Sequence, residues 1–284
     1  MIYVPQSITE FTYSNIPNLT DLWSESTSYA VGDLARVGNY LYKSTLSSNL
    51  NNKPLESLGV YWIEWDIANE YAMLDLLDET KTEWTGDGIV EFTRGSKDTL
   101  GIGNFTASLI TIEYLDSLGN VIGDTDTYSY SNNGNVYDVW TYGYGGFTDS
   151  VSEAIYVPIR RVGVKIRVTF SKNGNATNCG FMVAGVAIDG GITLDKVSFP
   201  DKRVGSRSVS VADFTTSVPR NQLMRKTTEA KKLINDTMLF IIDNQDNSDH
   251  KNMIILGTMT KCSSVGEVLS NNYIQWQVEQ TILE

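Results

Sequence analysis

Histidine and cysteine, the residues on which many catalytic and metal sites depend, are scarce in this sequence. Of its 284 residues only His250 is a histidine, and Cys179 and Cys262 stand apart without a CxxC pattern. A single histidine argues against a Ser-His-Asp arrangement, and zinc needs more Cys or His ligands. No GxSxG, HExxH or P-loop sequence occurs. We therefore predict a protein that is not an enzyme and has no cofactor or metal, although its many carboxylates leave a glycosidase pair as an open alternative.

Positive charge and long apolar runs are scarce as well. The chain has 22 Lys and Arg against 34 Asp and Glu, a formal net charge of −12. Binding to phosphates requires clustered Lys and Arg, so we expect no nucleic-acid partner. No apolar run is long enough to span a bilayer, and Met1–Pro5 has neither the basic nor the apolar region of a signal peptide. We therefore expect no membrane insertion and no Sec-type export.

The abundant residues are those of strands and tight turns. The sequence has 23 Gly and 15 Tyr, with many Asn, Ser and Thr. Apolar residues alternate with polar ones in Val162–Phe170, which indicates a half-buried strand, and the nearly all-apolar Cys179–Ile188 indicates a central one. For Cys179 and Cys262 we favour free thiols in strands over one disulfide. Further strands are predicted at Ile89–Phe92, Thr106–Leu115, Ala154–Ile159, Val209–Phe214, Met238–Ile242, Met253–Leu256 and Tyr273–Ile282.

These patterns predict a mainly β protein with a small aromatic β module, an antiparallel β-sandwich and a C-terminal α+β portion. Gln222–Asp236 is the best helix candidate, because its apolar residues lie roughly on one side. Ile67–Asp78 is either a helical turn or a buried strand. The predicted segments are an N-terminal extended arm at 1–20, the aromatic module at 21–66, the sandwich at 67–190 and the α+β assembly region at 191–284.

The most informative stretch is the aromatic module, Trp23–Trp65. It holds three of the six tryptophans, and its Gly38-Asn39 pair between two apolar runs predicts a short hairpin. Aromatics spaced by turn residues either staple a small β module together or form a flat platform against a sugar ring. The candidate glycan-binding residues are Trp23, Tyr29, Tyr40, Tyr42 and Trp62.

The module resembles the small chitin-binding modules attached to bacterial chitinases, carbohydrate-binding families 5 and 12. The resemblance covers about one sixth of the chain, and it implies a compact hairpin fold with aromatics in the core and in part of a sugar platform. The matching residues are Trp23, Tyr29, Gly32, Asp33, Val37, Gly38, Tyr42, Pro54 and Trp62.

The residues after the module resemble a segment of bacteriophage tail proteins. Tyr61–Trp65 and then Asn69–Asp75 match a stretch that joins such a module to a β-sandwich, with Leu74 where an aromatic is common. The resemblance implies a structural protein of the virion, made in the host cytoplasm and located at the tail tip, baseplate or fibre attachment. Its implied partners are other tail proteins, further copies of itself and bacterial surface polysaccharide. The alternative is a free carbohydrate-binding protein or an accessory module of a polysaccharide-degrading enzyme.

Two other stretches are candidate interaction surfaces. A Gly/Tyr-rich loop region contributes Tyr137, Trp140, Tyr142 and Tyr144. The basic residues of the predicted helix, Arg225 and Lys226 among them, either form a solvated face or dock on an acidic patch of a partner. The acidic stretch Asp243–His250 lacks the glycine and glutamate of an EF-hand loop, so we interpret it as a hairpin turn.

Overall fold

The fold is dominated by antiparallel strands. A computed structural model describes residues 2–77, 80–129, 154–190, 192–193, 201–204, 207–218, 220–242, 253–266 and 272–280. Strands make up 49% of it and helices 7%, which confirms the predicted mainly β class. Tyr137, Trp140, Tyr142 and Tyr144 lie outside the described residues, and so does the acidic stretch 243–250.

The elements follow one another as short strands with very few helical turns. The strands are β1 (Ile2–Pro5), β2 (Tyr13–Ser14), β3 (Ser28–Tyr29), β4 (Leu34–Val37), β5 (Tyr40–Ser44), β6 (Asn49–Leu50), β7 (Trp62–Ile67), β8 (Thr82–Trp84), β9 (Gly88–Thr93), β10 (Thr99–Thr106), β11 (Leu109–Leu115), β12 (Asp126–Ser129), β13 (Ala154–Pro158), β14 (Lys165–Ser171), β15 (Thr177–Gly185), β16 (Ile188–Asp189), β17 (Ile192–Thr193), β18 (Asp201–Val204), β19 (Arg207–Val218), β20 (Thr237–Ile242), β21 (Met253–Gly266) and β22 (Asn272–Gln280). The helical elements are α1 (Arg220–Lys231) and two 3₁₀ turns, Pro54–Glu56 and Ala72–Leu74.

The sandwich consists of two antiparallel sheets packed face to face. One sheet has the strand order β12-β11-β14-β9-β2 and the other β13-β10-β15-β8. On β14, Ile166, Val168 and Phe170 are buried in the core between the sheets, as the period-two pattern predicts. On its outer face Arg167 binds Glu91 at 2.7 Å and Glu113 at 3.3 Å, and the three residues are directly opposite one another in register.

A third sheet covers the outer face of the four-stranded sheet. Its strand order is β16-β1-β20-β21-β22-β19-β17, with β18 also paired to β19. Val4 of β1 and Leu239 of β20 pack against Phe181 and Val183 of β15. The approach is close, because a Cβ added at Gly185 would lie 2.2 Å from the carbonyl oxygen of Pro5. The N-terminal strand is therefore a component of the C-terminal sheet.

The single described α-helix, α1, lies on the other face of this third sheet. Alternate residues point toward it, including Tyr3, Phe240 and Trp276, and Ala230 of the helix is buried among them. The helix prediction is confirmed, although α1 ends at Lys231 and the chain continues in turns before β20. Within the part of the chain that the structure describes, no helix has the length and apolar character that crossing a bilayer requires.

Three strand predictions are wrong at their boundaries. Thr106–Leu115 is divided between β10 and β11, which belong to different sheets. Cys179–Ile188 is divided in the same way between β15 and β16. Val162 and Val164 are exposed, because the chain turns at Gly163 before β14 begins.

The arm and the connector have definite structures. The arm contributes β1 to the third sheet and β2 to the edge of the sandwich. Of the two alternatives for Ile67–Asp78, the helical turn is confirmed by the 3₁₀ turn at Ala72–Leu74. The division of the chain into domains stays a prediction.

Candidate functional site

Most of the aromatic residues of the module form its core. The sheet β4-β5-β7 and the pair β3-β6 enclose Tyr29, Tyr42 and Trp62, and Trp62 has no exposed surface. Tyr29 meets Trp62 edge to face with ring centroids 5.0 Å apart, and the Trp62 Nε1–H donates to the Asn52 carbonyl oxygen at 2.7 Å. These three candidate glycan-binding residues therefore have no open ring face for a sugar, and burial makes them structural.

Tight turns fix this core in place. Gly38 and Asn39 join β4 to β5 as a two-residue hairpin, which confirms the hairpin prediction. Gly38 has a φ of +62°, and a type II′ turn places glycine in this conformation. The Asp33 carboxylate accepts a hydrogen bond from the Ala30 amide at 2.7 Å, so Asp33 closes the turn that leads into β4.

Trp65 is the most exposed aromatic residue of the module. The register of β5 against β7 shifts at this position, because Leu41 is opposite Asp66 while Tyr42 is opposite Glu64. Trp65 is the extra residue of this β-bulge, a feature that re-aims side chains. The Lys43 Nζ lies 3.8 Å from the ring centroid, and the side chain remains 53% exposed. Trp65 therefore offers partly open aromatic surface beside a cation.

Trp65 is not among the binding residues that the sequence predicts. The signal that would have identified it is the spacing Trp62 to Trp65 within a strand, because an odd separation places the two side chains on opposite faces. If Trp62 occupies the core, Trp65 faces outward. Of the predicted glycan-binding residues, Tyr40 is 47% exposed. Trp23 is partly buried against the module core, and its indole N–H makes no hydrogen bond.

A depression of about 350 Å³, the Trp65 depression, adjoins these two exposed aromatics. It is lined by Tyr40, Glu64, Trp65, Asp66, Ile67, Asp75, Leu77 and Thr80. The Asp75 carboxylate accepts hydrogen bonds from the Thr80 hydroxyl at 2.6 Å and the Leu77 amide at 2.8 Å. Burial nevertheless raises the pKa of Asp75 above its usual range, because desolvation outweighs these hydrogen bonds.

The depression combines the two kinds of group that sugar recognition uses. Aromatic faces accept the C–H face of a pyranose ring, while carboxylate oxygens accept hydrogen bonds from sugar hydroxyls. A volume of this size lies within the range of small-molecule sites. The arrangement is thus suited to binding one or two sugar units.

The basic candidates on α1 differ from each other. Lys226 is 8% exposed, and its Nζ lies 2.5 Å from the Asp189 carboxylate. This ammonium is therefore used within the chain, which corrects the prediction that Lys226 belongs to an interaction surface. Arg225 is exposed, with its Nε 3.9 Å from the Glu229 carboxylate, and for it the prediction stays open.

The cysteines offer no reactive thiol. Both Cys179 and Cys262 are free and buried, which confirms the preference for free thiols. Burial raises the pKa of Cys262 to about 11 and raises that of Cys179 further, so both are protonated at neutral pH. Among the residues that the structure describes, no cluster of three or more His, Cys, Asp or Glu could hold a metal ion.

The depression, with Trp65 and Tyr40 beside it, is thus the candidate site. Comparison with known proteins identifies no relative of the chain, which matches neither a protein-family model nor a curated protein.

Proposed function

We propose that this chain is a non-enzymatic structural component of a bacteriophage tail, at the tip, the baseplate or the fibre attachment. It assembles in several copies and contacts a glycan on the host surface. The observation that carries the glycan contact is the placement of Trp65 and Tyr40 beside the Trp65 depression, while the other aromatics of the module are used in its core. The placement in a tail is supported by the sequence resemblance over Tyr61–Asp75.

Exposed apolar side chains on the module support assembly with other chains. Leu34, Lys43 and Ile63 are directly opposite one another on neighbouring strands, so the two apolar residues share one face of the sheet with Lys43 between them. Other large apolar residues of this region are also exposed: Leu19, Leu22, Val31, Leu46, Leu50, Leu55, Leu58 and Val60. Soluble monomers expose such residues singly, whereas groups of them are typical of protein interfaces.

Light scattering after size-exclusion chromatography tests the assembly, and mass spectrometry of purified virions tests the location. We expect a defined oligomer and a tail protein in the particle. A stable monomer that is absent from virions contradicts the proposal. If such a monomer still binds glycans, the protein is a free carbohydrate-binding protein. Release of products from host polysaccharide would contradict the prediction that it is not an enzyme.

A further inference from the structure

A second cavity continues from the Trp65 depression. It has a volume of about 440 Å³ and lies where the module meets the residues that lead into the sandwich. Asp66, Ile67 and Thr80 line both spaces, and we call the two neighbouring spaces together the junction groove. The second cavity is also lined by Pro17, Asn18, Leu19, Thr20, Arg36, Leu41, Ala68, Asn69, Glu70, Ala72, Lys81 and Glu83.

The walls of the second cavity are fixed by hydrogen bonds. The Asn69 amide nitrogen donates to the carbonyl oxygens of Pro17 at 3.3 Å and Glu83 at 3.0 Å. Its side-chain oxygen accepts from the Glu83 amide at 2.8 Å. Asn69 thereby ties two segments together across the cavity. A binding site that is formed before its ligand arrives loses less entropy on binding.

Polar groups that the fold does not use remain in this cavity. The Arg36 Nη1 binds the Glu70 carboxylate at 2.7 Å, while the Arg36 Nε is buried and makes no hydrogen bond. Lys81 and Glu83 are exposed at the cavity, with no ion pair among the described residues. The ammonium of Lys81 and the carboxylate of Glu83 are thus available to hydrogen-bond a ligand in the cavity.

The charge of the groove limits the class of ligand. Acidic side chains outnumber basic ones along it, with Glu64, Asp66, Glu70, Asp75 and Glu83 against Arg36 and Lys81. The guanidinium of Arg36 is already paired with Glu70. An anionic polysaccharide would be repelled, while hydroxyl groups and ammonium groups would find acceptors.

We propose, on the basis of the glycan contact described above, that the junction groove binds a chain of neutral or amino-bearing sugars. Trp65 holds one sugar ring. Glu83 and Lys81, which line the second cavity, bind units further along the same chain. Short glycans occupy only the Trp65 depression, and longer ones fill the whole groove.

Isothermal titration calorimetry with disaccharides and hexasaccharides of glucose, N-acetylglucosamine and glucosamine tests this, with hexagalacturonate as the anionic probe. We expect at least one neutral or amino hexasaccharide to bind more tightly than its disaccharide. Trp65→Ala should weaken both by about twofold to tenfold, because aromatic contacts contribute about 0.5–1.5 kcal/mol. Glu83→Gln should weaken only the hexasaccharide, by about threefold to tenfold, because a neutral acceptor replaces a charged one.

Glu56→Gln is the matched control, because Glu56 is exposed on the module but does not line the groove. If Glu83→Gln leaves hexasaccharide binding unchanged while Trp65→Ala weakens both probes, the extended groove is wrong and the glycan contact stands. If Trp65→Ala changes neither affinity, or no probe binds, the glycan contact itself fails. Tighter binding of hexagalacturonate than of every other hexasaccharide overturns the proposed class of ligand.

Discussion

Trp62 and Trp65 lie three residues apart on one strand and have opposite environments. Trp62 is enclosed between Tyr29 and the Asn52 carbonyl, whereas Trp65 is held at the surface by the bulge and by Lys43. Both residues stand out equally in the sequence as aromatics of a small module. Composition alone could not separate them, because a bulge depends on the register between two strands.

Replacing each tryptophan with alanine should separate the two roles. Trp62→Ala is expected to lower the free energy of unfolding by about 3–5 kcal/mol, because it removes a fully buried aromatic. Trp65→Ala should change it by no more than about 1 kcal/mol, which is the size of an exposed cation–π contact. Urea denaturation followed by circular dichroism measures both. Equal losses for the two variants would contradict the assignment of Trp65 to the surface.

Asp75 should make the stability of the protein depend on pH. Burial raises the pKa of Asp75 in the folded chain above its ordinary value of 3.8. Between the unfolded pKa and the folded pKa the folded state binds more protons than the unfolded state, so the free energy of unfolding falls as the pH rises. Asp75→Asn cannot titrate. The free energy of unfolding of this variant relative to the wild type should therefore increase as the pH rises above the unfolded pKa of about 3.9.

Asp116→Asn provides a control with the opposite sign. Hydrogen bonds from the Asn120 side chain and nearby amides lower the pKa of Asp116. Wild-type stability relative to this variant should therefore rise with pH, since the carboxylate is stabilised above its unfolded pKa. Urea titrations at several pH values measure both differences. With both differences expressed as wild type minus variant, we expect a negative slope for Asp75 and a positive slope for Asp116, and slopes of the same sign would show that burial does not control Asp75.

At the scale of elements, the hairpin turn could be predicted from the sequence, whereas the assignment of strands to different sheets could not. Gly38-Asn39 fixes its hairpin within four residues, so the sequence contains the whole signal. The division of Thr106–Leu115 depends on distant partners, since β10 pairs with β15 while β11 pairs with β14. Only Thr106 of this stretch belongs to β10, and Ala107 and Ser108 separate it from β11, a break that the hydrophobic pattern alone does not reveal.

The contact between β1 and β15 should be sensitive to a single methyl group. Gly185→Ala would place Cβ against the Pro5 carbonyl, a backbone atom that cannot rotate away. We expect a loss of about 1–3 kcal/mol in the free energy of unfolding, as for other overpacked sites. Gly86→Ala is the control, because nothing lies within 4 Å of its Cβ, and it should change stability by less than about 1 kcal/mol. Chemical denaturation measures the free energy of unfolding of both variants. Equal losses for Gly185→Ala and Gly86→Ala would mean that β1 and β15 are not in close contact.

Outside the aromatic module, the third sheet lies between the sandwich and α1. β1 lies inside that sheet, between β16 and β20, and buries Tyr3 and Val4 on its two faces. This position was not predictable beyond an arm that pairs with a strand, because nothing in the residues 2–5 specifies a partner near position 240. The mainly β class was predictable because it depends only on composition and alternation.

Deletion of residues 1–6 should destabilise the molecule as a whole. The loss uncovers Phe181 and Val183 of β15 and leaves Phe240 and Trp276 without Tyr3. We expect a lower melting temperature and increased binding of a hydrophobic dye. The control is Tyr13→Ala, which changes an exposed residue in the same arm. An unchanged melting temperature for the deletion would contradict the role of β1 in the sheet.

The pairing of β1 with β20 also sets an order of events during synthesis. Tyr3 is opposite Ile188 on one side and Phe240 on the other, so β1 has both of its neighbours only after residue 242 has been synthesised. At roughly 5–20 residues per second the delay is on the order of tens of seconds. In the last part of this time, after β15 has been made and before β20 follows it, the apolar outer face of β15 lacks its complete cover. Nascent chains of this protein should therefore depend on chaperones, and expression at low temperature should raise the yield of folded protein.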